Sequence, residues 1–175
     1  MNVRRFEIFA GVALAIGLLT VPAAQAATQM FSAKLLGDNE VPPINSAGTA
    51  TFQMQIDTAT NAITFTLTYS GLSGAPAVAH LHFAPTNVAG GVMIFLCGGG
   101  GQPACPATTS GMISGTITTA NVVGPTAQGI AAGDLASALE AVGEGLSYAN
   151  MHTANFPAGE IRGQVRRGAR RGGGD

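Results

Sequence analysis

Apolar and polar residues alternate one by one through residues 49–56: Ala50, Phe52, Met54 and Ile56 fall on one face, Thr51, Gln53 and Gln55 on the other. A period of two marks a strand that buries one face only. The same alternation returns at 63–69, where Ile63, Phe65, Leu67 and Tyr69 interleave with Thr64, Thr66 and Thr68. The intervening Asp57-Thr58-Ala59-Thr60-Asn61 is rich in short polar side chains that bond their own backbone in turns, so the two strands are expected to pair as an antiparallel hairpin. Further strands are predicted at 30–36, 78–83, 92–96, 111–118, 148–153 and 160–165, set apart by clusters of Gly, Pro, Asn and Ser. Residues 133–142 break the pattern: Leu135, Leu139 and Val142 recur at helical spacing, and Gly143 is placed to end the element. Eight short strands and one short helix predict an all-β fold, an antiparallel Greek-key-like β-sandwich with the helix laid across one end.

The two ends of the chain change the picture of where this domain works. Arg4 and Arg5 precede an apolar stretch from Ala10 to Leu19, and Ala24-Gln25-Ala26 has the small-x-small form of a secretory cleavage site, so residues 1–26 read as a signal peptide. The apolar run from Ile8 to Val21 is shorter than the roughly 20 residues a spanning helix needs, which leaves a retained anchor as the alternative and no transmembrane segment after cleavage. Residues 27–165 suffice for one domain around one core. Beyond them, Arg166-Arg167-Gly168-Ala169-Arg170-Arg171 and the glycines before Asp175 read as a disordered tail at 166–175.

Export to the periplasm or the exterior makes the only cysteines, Cys97 and Cys105, a disulfide rather than a redox or metal pair. It would close a Gly-rich excursion at 98–104 and contribute about 2–3 kcal/mol by restricting the unfolded chain. Charge is equally one-sided. No Lys or Arg lies between Leu35 and Ile161; with Lys34 and Arg162 included, residues 27–165 carry two positive and seven negative charges, formally −5. Such a body repels a phosphate backbone, which excludes nucleic acid as a partner.

All three histidines lie in two short polar segments, His80-Leu81-His82 and Asn150-Met151-His152-Thr153, the second followed by Glu160-Ile161-Arg162-Gly163-Gln164. In a strand, residues two apart share a face, so His80 and His82 project together, as do Asn150 with His152, and Glu160 with Arg162 and Gln164. If the loop at 154–159 returns the chain, the last two strands become neighbours. Two readings follow. In one, His80, His82 and His152 ligate copper or zinc, with Glu160 as a fourth ligand or as the acceptor that fixes an imidazole tautomer. A His-x-His strand pair completed by a distant third histidine is an arrangement found in copper and zinc proteins, Cu/Zn superoxide dismutase among them. In the other, the histidines join Asn150, Thr153, Glu160 and Arg162 in a satisfied structural network.

Several segments together resemble the CHRD domain, named for its repeats in the animal signalling antagonist chordin and found singly in secreted bacterial proteins. They are Phe31-Ser32-Ala33-Lys34-Leu35, Glu40-Val41-Pro42-Pro43, His80-Leu81-His82, and Tyr148-Ala149-Asn150-Met151-His152-Thr153 through Gly159-Glu160-Ile161-Arg162-Gly163-Gln164. The resemblance spans about residues 30 to 165 and implies an all-β sandwich outside the cytoplasm; the architecture expected is immunoglobulin-like or superoxide-dismutase-like. It carries no defined activity. No nucleophile elbow, phosphate loop or metalloprotease helix is present in the sequence, and no serine or threonine has a placed base. The function expected first is a non-enzymatic extracytoplasmic interaction module for a protein or small ligand. The competing expectation is a copper or zinc protein whose open coordination position supports redox or hydrolytic chemistry.

Overall fold

In the computed structural model, residues 28–168 are described. The expected signal peptide at 1–26, its cleavage site, and the tail from 169 onward lie outside the described residues.

The alternating segments become a meander of β1 (Thr28–Leu36), β2 (Thr49–Asp57) and β3 (Ile63–Ser70). Pairing runs from Thr28↔Asp57 to Leu36↔Thr49 and from Thr49↔Ser70 to Ile56↔Ile63, all antiparallel. The β2–β3 turn is held as its composition predicts: Asp57 Oδ1 accepts from the backbone N–H groups of Ala59 at 2.8 Å and Thr60 at 3.2 Å. On the inward face Phe31, Ala33, Leu35, Phe52, Met54, Phe65 and Leu67 are buried, the burial that drives the sheet to curl over its own apolar side.

The remaining strands are β4 (Pro76–Phe83), β5 (Gly91–Cys97), β6 (Gly111–Thr116), β7 (Ser147–Thr153), β8 (Ile161–Gln164) and β9 (Arg166–Arg167). All pairings are antiparallel, and the all-β expectation holds. The strands do not form a clear Greek-key sandwich: one hydrogen-bonded path runs β5-β4-β7-β8-β1-β2-β3-β6. Its join is β8 against β1, through Leu36↔Arg162. At the open end, the chain beyond β6 returns along β5, with a bridge at Ile94↔Val122 and the Val123 N–H donating to Met93 O at 2.9 Å. The sheet is thus nearly a barrel, which leaves fewer unpaired edge groups than two open sheets would.

One boundary also shifts. Arg166 and Arg167, expected in the disordered tail, form β9 and pair with Ser32 and Phe31 of β1. The guanidinium of Arg167 lies 5.6 Å over the Phe31 ring, a contact that anchors the strand end. The expected helix is α1 (Leu135–Gly143), with Ala138, Ala141 and Val142 buried. Asp134 caps it, Oδ1 accepting from Ser137 N at 3.1 Å and Oδ2 from the Ser137 hydroxyl at 2.7 Å. Cys97 and Cys105 are joined in the expected disulfide, their Cα atoms 5.0 Å apart.

Ala79, Leu81, Ala149, Met151 and Ile161 of β4, β7 and β8 face the core and are fully buried. The opposite face of these strands is not left to solvent. Every residue of β7 is buried, because loops close over the outer side as the core closes over the inner one. Polar groups on that covered face have to be answered by partners there.

Candidate functional site

Cross-strand partners in a sheet share a face. β4 and β7 set His80 opposite Asn150, His82 opposite Tyr148 and Val78 opposite His152. β8 adds Arg162 opposite Asn150 and Gln164 opposite Tyr148, and β5 puts Phe95 opposite His80. The covered outer face therefore gathers the three histidines predicted from strand parity. They are 6%, 8% and 8% exposed for His80, His82 and His152. Ring centroids lie 5.1 Å apart for His80–His82, 4.9 Å for His80–His152 and 6.1 Å for His82–His152. One ring nitrogen from each comes within 4.8 Å of those of the other two.

Two rings are fixed by backbone carbonyls. His82 Nδ1–H donates to Gly90 O at 3.0 Å and His152 Nδ1–H to Pro157 O at 3.1 Å. With one nitrogen protonated, the other of a neutral ring carries a lone pair. His82 Nε2 and His152 Nε2, together with His80 Nδ1, are buried and have no hydrogen-bond partner among the described residues. The rings are held neutral by their surroundings. Burial pushes the His80 imidazole down to about 3, with His152 and His82 adding to the effect. Burial likewise takes His82 to about 4 despite its bond to Gly90, and lowers His152 despite its bond to Pro157.

Neighbouring donors are committed elsewhere. Asn150 Nδ2 donates to Glu40 Oε2 at 3.2 Å, and the Arg162 guanidinium donates to the carbonyls of Val88 at 2.8 Å and Pro85 at 3.2 Å. Tyr148 stacks flat on His82, centroids 4.6 Å apart and planes 3° from parallel, while the Arg162 guanidinium covers its other face at 3.4 Å. Glu40 Oε1 and Asn150 Oδ1 are also buried and without donors. Burial pushes Glu40 up to about 7, against the hydrogen bond from Asn150 and the charge of Arg162. The face is thus rich in lone pairs and poor in donors, which is the chemistry that receives a cation.

Glu160 is the expectation that fails. Neither a ligand nor a partner of the imidazoles, it accepts from Ser46 Oγ at 2.7 Å, Ser73 N at 2.7 Å, Ser73 Oγ at 2.8 Å and Thr153 Oγ1 at 2.6 Å. Burial would raise this carboxyl, but the hydrogen bonds from Thr153, Ser73 and Ser46 outweigh it and hold it below the usual range. Parity misplaced it because Glu160 precedes β8 (Ile161–Gln164), so it does not share the face of Arg162. Thr153 sits with it, and the expected single network of Asn150, Thr153, Glu160 and Arg162 is instead three separate sets of bonds. Tyr148 was legible by parity with Asn150 and His152; the carbonyls of Gly90 and Pro157 had no signal in the sequence.

Fold and site together define an all-β domain, one nearly closed antiparallel sheet, with a buried three-histidine cluster on a covered outer face. The family model for the CHRD domain matches residues 31–165, and the chain belongs to that family. CHRD domains are typically extracellular. No curated protein and no solved structure matches the chain. Among the described residues, no helix is long and apolar enough to cross a membrane.

Proposed function

We propose that this CHRD domain is exported and acts outside the cytoplasm as an interaction module that holds one transition-metal ion, Cu(II) or Zn(II), on His80, His82 and His152. The observation that carries this reading is the trio of buried ring nitrogens, one per histidine, that no donor reaches. A purely structural network would satisfy those lone pairs with its own donors, yet Asn150, Arg162 and Thr153 donate to other acceptors. Three neutral imidazoles are a donor set suited to copper and zinc. The carbonyls of Gly90 and Pro157 would do what carboxylates do in many such centres, fixing tautomer and ring orientation. Three protein ligands leave a coordination position that a partner's side chain or a water can fill, which joins the metal to the recognition role of the family.

The test is metal content. Full-length protein stripped with chelator, loaded with Zn(II) or Cu(II) and desalted is expected to keep about one ion per chain, the stoichiometry of a three-histidine centre. His80→Ala is expected to keep none while retaining its β-type circular dichroism. A folded wild-type protein that holds neither ion, or a His80→Ala variant that holds as much as wild type, overturns the reading.

A further inference from the structure

Of the three imidazoles, His80 alone has no backbone carbonyl holding it among the described residues. Its orientation rests on ring contacts with His82, His152 and Phe95, the last edge-on at 4.6 Å and 86°. Phe95 reaches it through an irregularity in the ladder. Between the pairs His80↔Phe95 and Ala79↔Cys97 the register shifts by a bulge, so Phe95 turns outward to the histidines while Cys97 turns into the core. Bulges commonly re-aim a side chain beside a site in this way.

Phe95 is in turn walled in by the disulfide loop. A Cβ added at Gly99 would come within 2.5 Å of the Phe95 ring, and one at Gly100, whose φ is +56°, within 2.7 Å. Only glycine lets the backbone lie this close to an aromatic ring. The loop is fastened by Gly98 N–H to Pro103 O at 2.8 Å, by Asn121 Nδ2 to Gly100 O at 2.9 Å, and covalently by Cys97–Cys105. Gln102 adds hydrogen bonds to Gly99 O at 2.9 Å and Thr116 O at 2.8 Å; four consecutive glycines carry the largest backbone entropy of any such segment, so without the cross-link these few hydrogen bonds alone oppose the loop's departure.

We propose that the Cys97–Cys105 disulfide regulates the three-histidine site: by clamping the glycine loop on Phe95 it makes Phe95 a positioning residue for His80, so that the chain takes up metal once it has been oxidised. This inference rests on the metal-binding reading. Its consequence is an order of events: the Cys97 and Cys105 thiols give up two electrons and two protons to an external disulfide oxidant, which is reduced to its dithiol as the Cys97–Cys105 bond forms, and metallation follows.

The experiment compares the full chain with Cys97→Ser/Cys105→Ser, matched for β-type circular dichroism. It reads Zn(II) affinity by competition with a chromophoric chelator, and the histidine ring resonances of the metal-free proteins by NMR. Loss of the clamp is expected to weaken Zn(II) binding by about tenfold or more, as loss of groups that orient ligands does, and to move the His80 ring resonances while those of His82 and His152 stay. If the double variant does not fold, the disulfide-intact variants decide. Phe95→Ala and Gly99→Ala should weaken binding and shift His80, with Phe95→Leu restoring most of the affinity. Unchanged affinity together with unchanged His80 resonances in a folded variant overturns the proposal. If wild type itself takes up no Zn(II), the metal reading falls and regulation of metallation falls with it, while the metal-free spectra still show whether the clamp positions His80.

Discussion

At the scale of the residue, the three histidines on the outer face of β4 and β7 and the Glu40 carboxyl that meets this face through Asn150 are displaced by burial in opposite senses, and their effects on stability separate by pH. His80 and His82 titrate near 3 and 4 in the fold against 6.5 for the free side chain. Above pH 6.5 their contribution to stability is complete; as pH falls, the unfolded chain takes up protons first, and stability is lost down to the folded-state values. Glu40 runs the other way. Its carboxyl titrates at about 7 in the fold against 4.5, so its contribution is complete below 4.5 and is lost as pH rises through 7. In metal-free protein the thermal midpoint is therefore expected to fall from pH 7 to pH 4.5. In Glu40→Gln it should fall more steeply, and at pH 8 the variant should melt above wild type, since an amide avoids burying a charge and can donate to Asn150 Oδ1. Melting curves from pH 4.5 to 8 test this, and identical profiles for the two proteins would refute it. The histidines were legible because His-x-His on a strand has only one geometry. Glu160 was misread because whether a residue lies inside a strand or one position before it cannot be seen in alternation.

At the scale of the element, period-two alternation and the Gly, Pro, Asn and Ser clusters between segments were enough to place eight of the nine strands, and Leu135, Leu139 and Val142 at helical spacing before Gly143 enough to place α1. What alternation cannot encode is which edge meets which. β8 (Ile161–Gln164) meets β1 (Thr28–Leu36) at Leu36↔Arg162, and that junction turns two groups of strands into one sheet. Gly163 makes the approach possible: a Cβ there would run into the carbonyl of Lys34 and reach 3.1 Å from Leu35 N, both backbone atoms of a paired strand. Backbone cannot step aside as a flexible side chain can, so Gly163→Ala is expected to cost about 3 kcal/mol, the upper end of overpacking penalties. Urea denaturation gives the measure, and a midpoint equal to wild type would show that the junction is looser than it stands here. β9 was missed for a related reason: two arginines among glycines look like tail, and only the exposed edge of β1 gives them a place to pair.

At the scale of the whole molecule, the distribution of charge bears on how a cation reaches a cluster that is itself uncharged. The ligands are neutral imidazoles, and the Arg162 guanidinium, whose charge acts on His82, stands 3.4 Å over the Tyr148 ring stacked on it. That charge opposes the approach of a divalent ion. The folded body as a whole attracts one, since residues 28–168, with Arg166 and Arg167 of β9 included, carry four positive against seven negative charges, a formal −3, and a net field of one sign raises the encounter rate of the opposite sign. Such steering acts over distances that salt shortens, from a screening length of about 30 Å at 0.01 M to about 8 Å at 0.15 M. Departure of a bound ion depends on its ligands and is nearly blind to salt. In stopped-flow loading with Zn(II), the association rate should fall several-fold between about 0.01 M and 0.15 M salt, with the dissociation rate almost unchanged. An association rate indifferent to salt would mean that the loops over β4 and β7 gate entry, and that opening of the cover, rather than diffusion in the protein's field, limits the step.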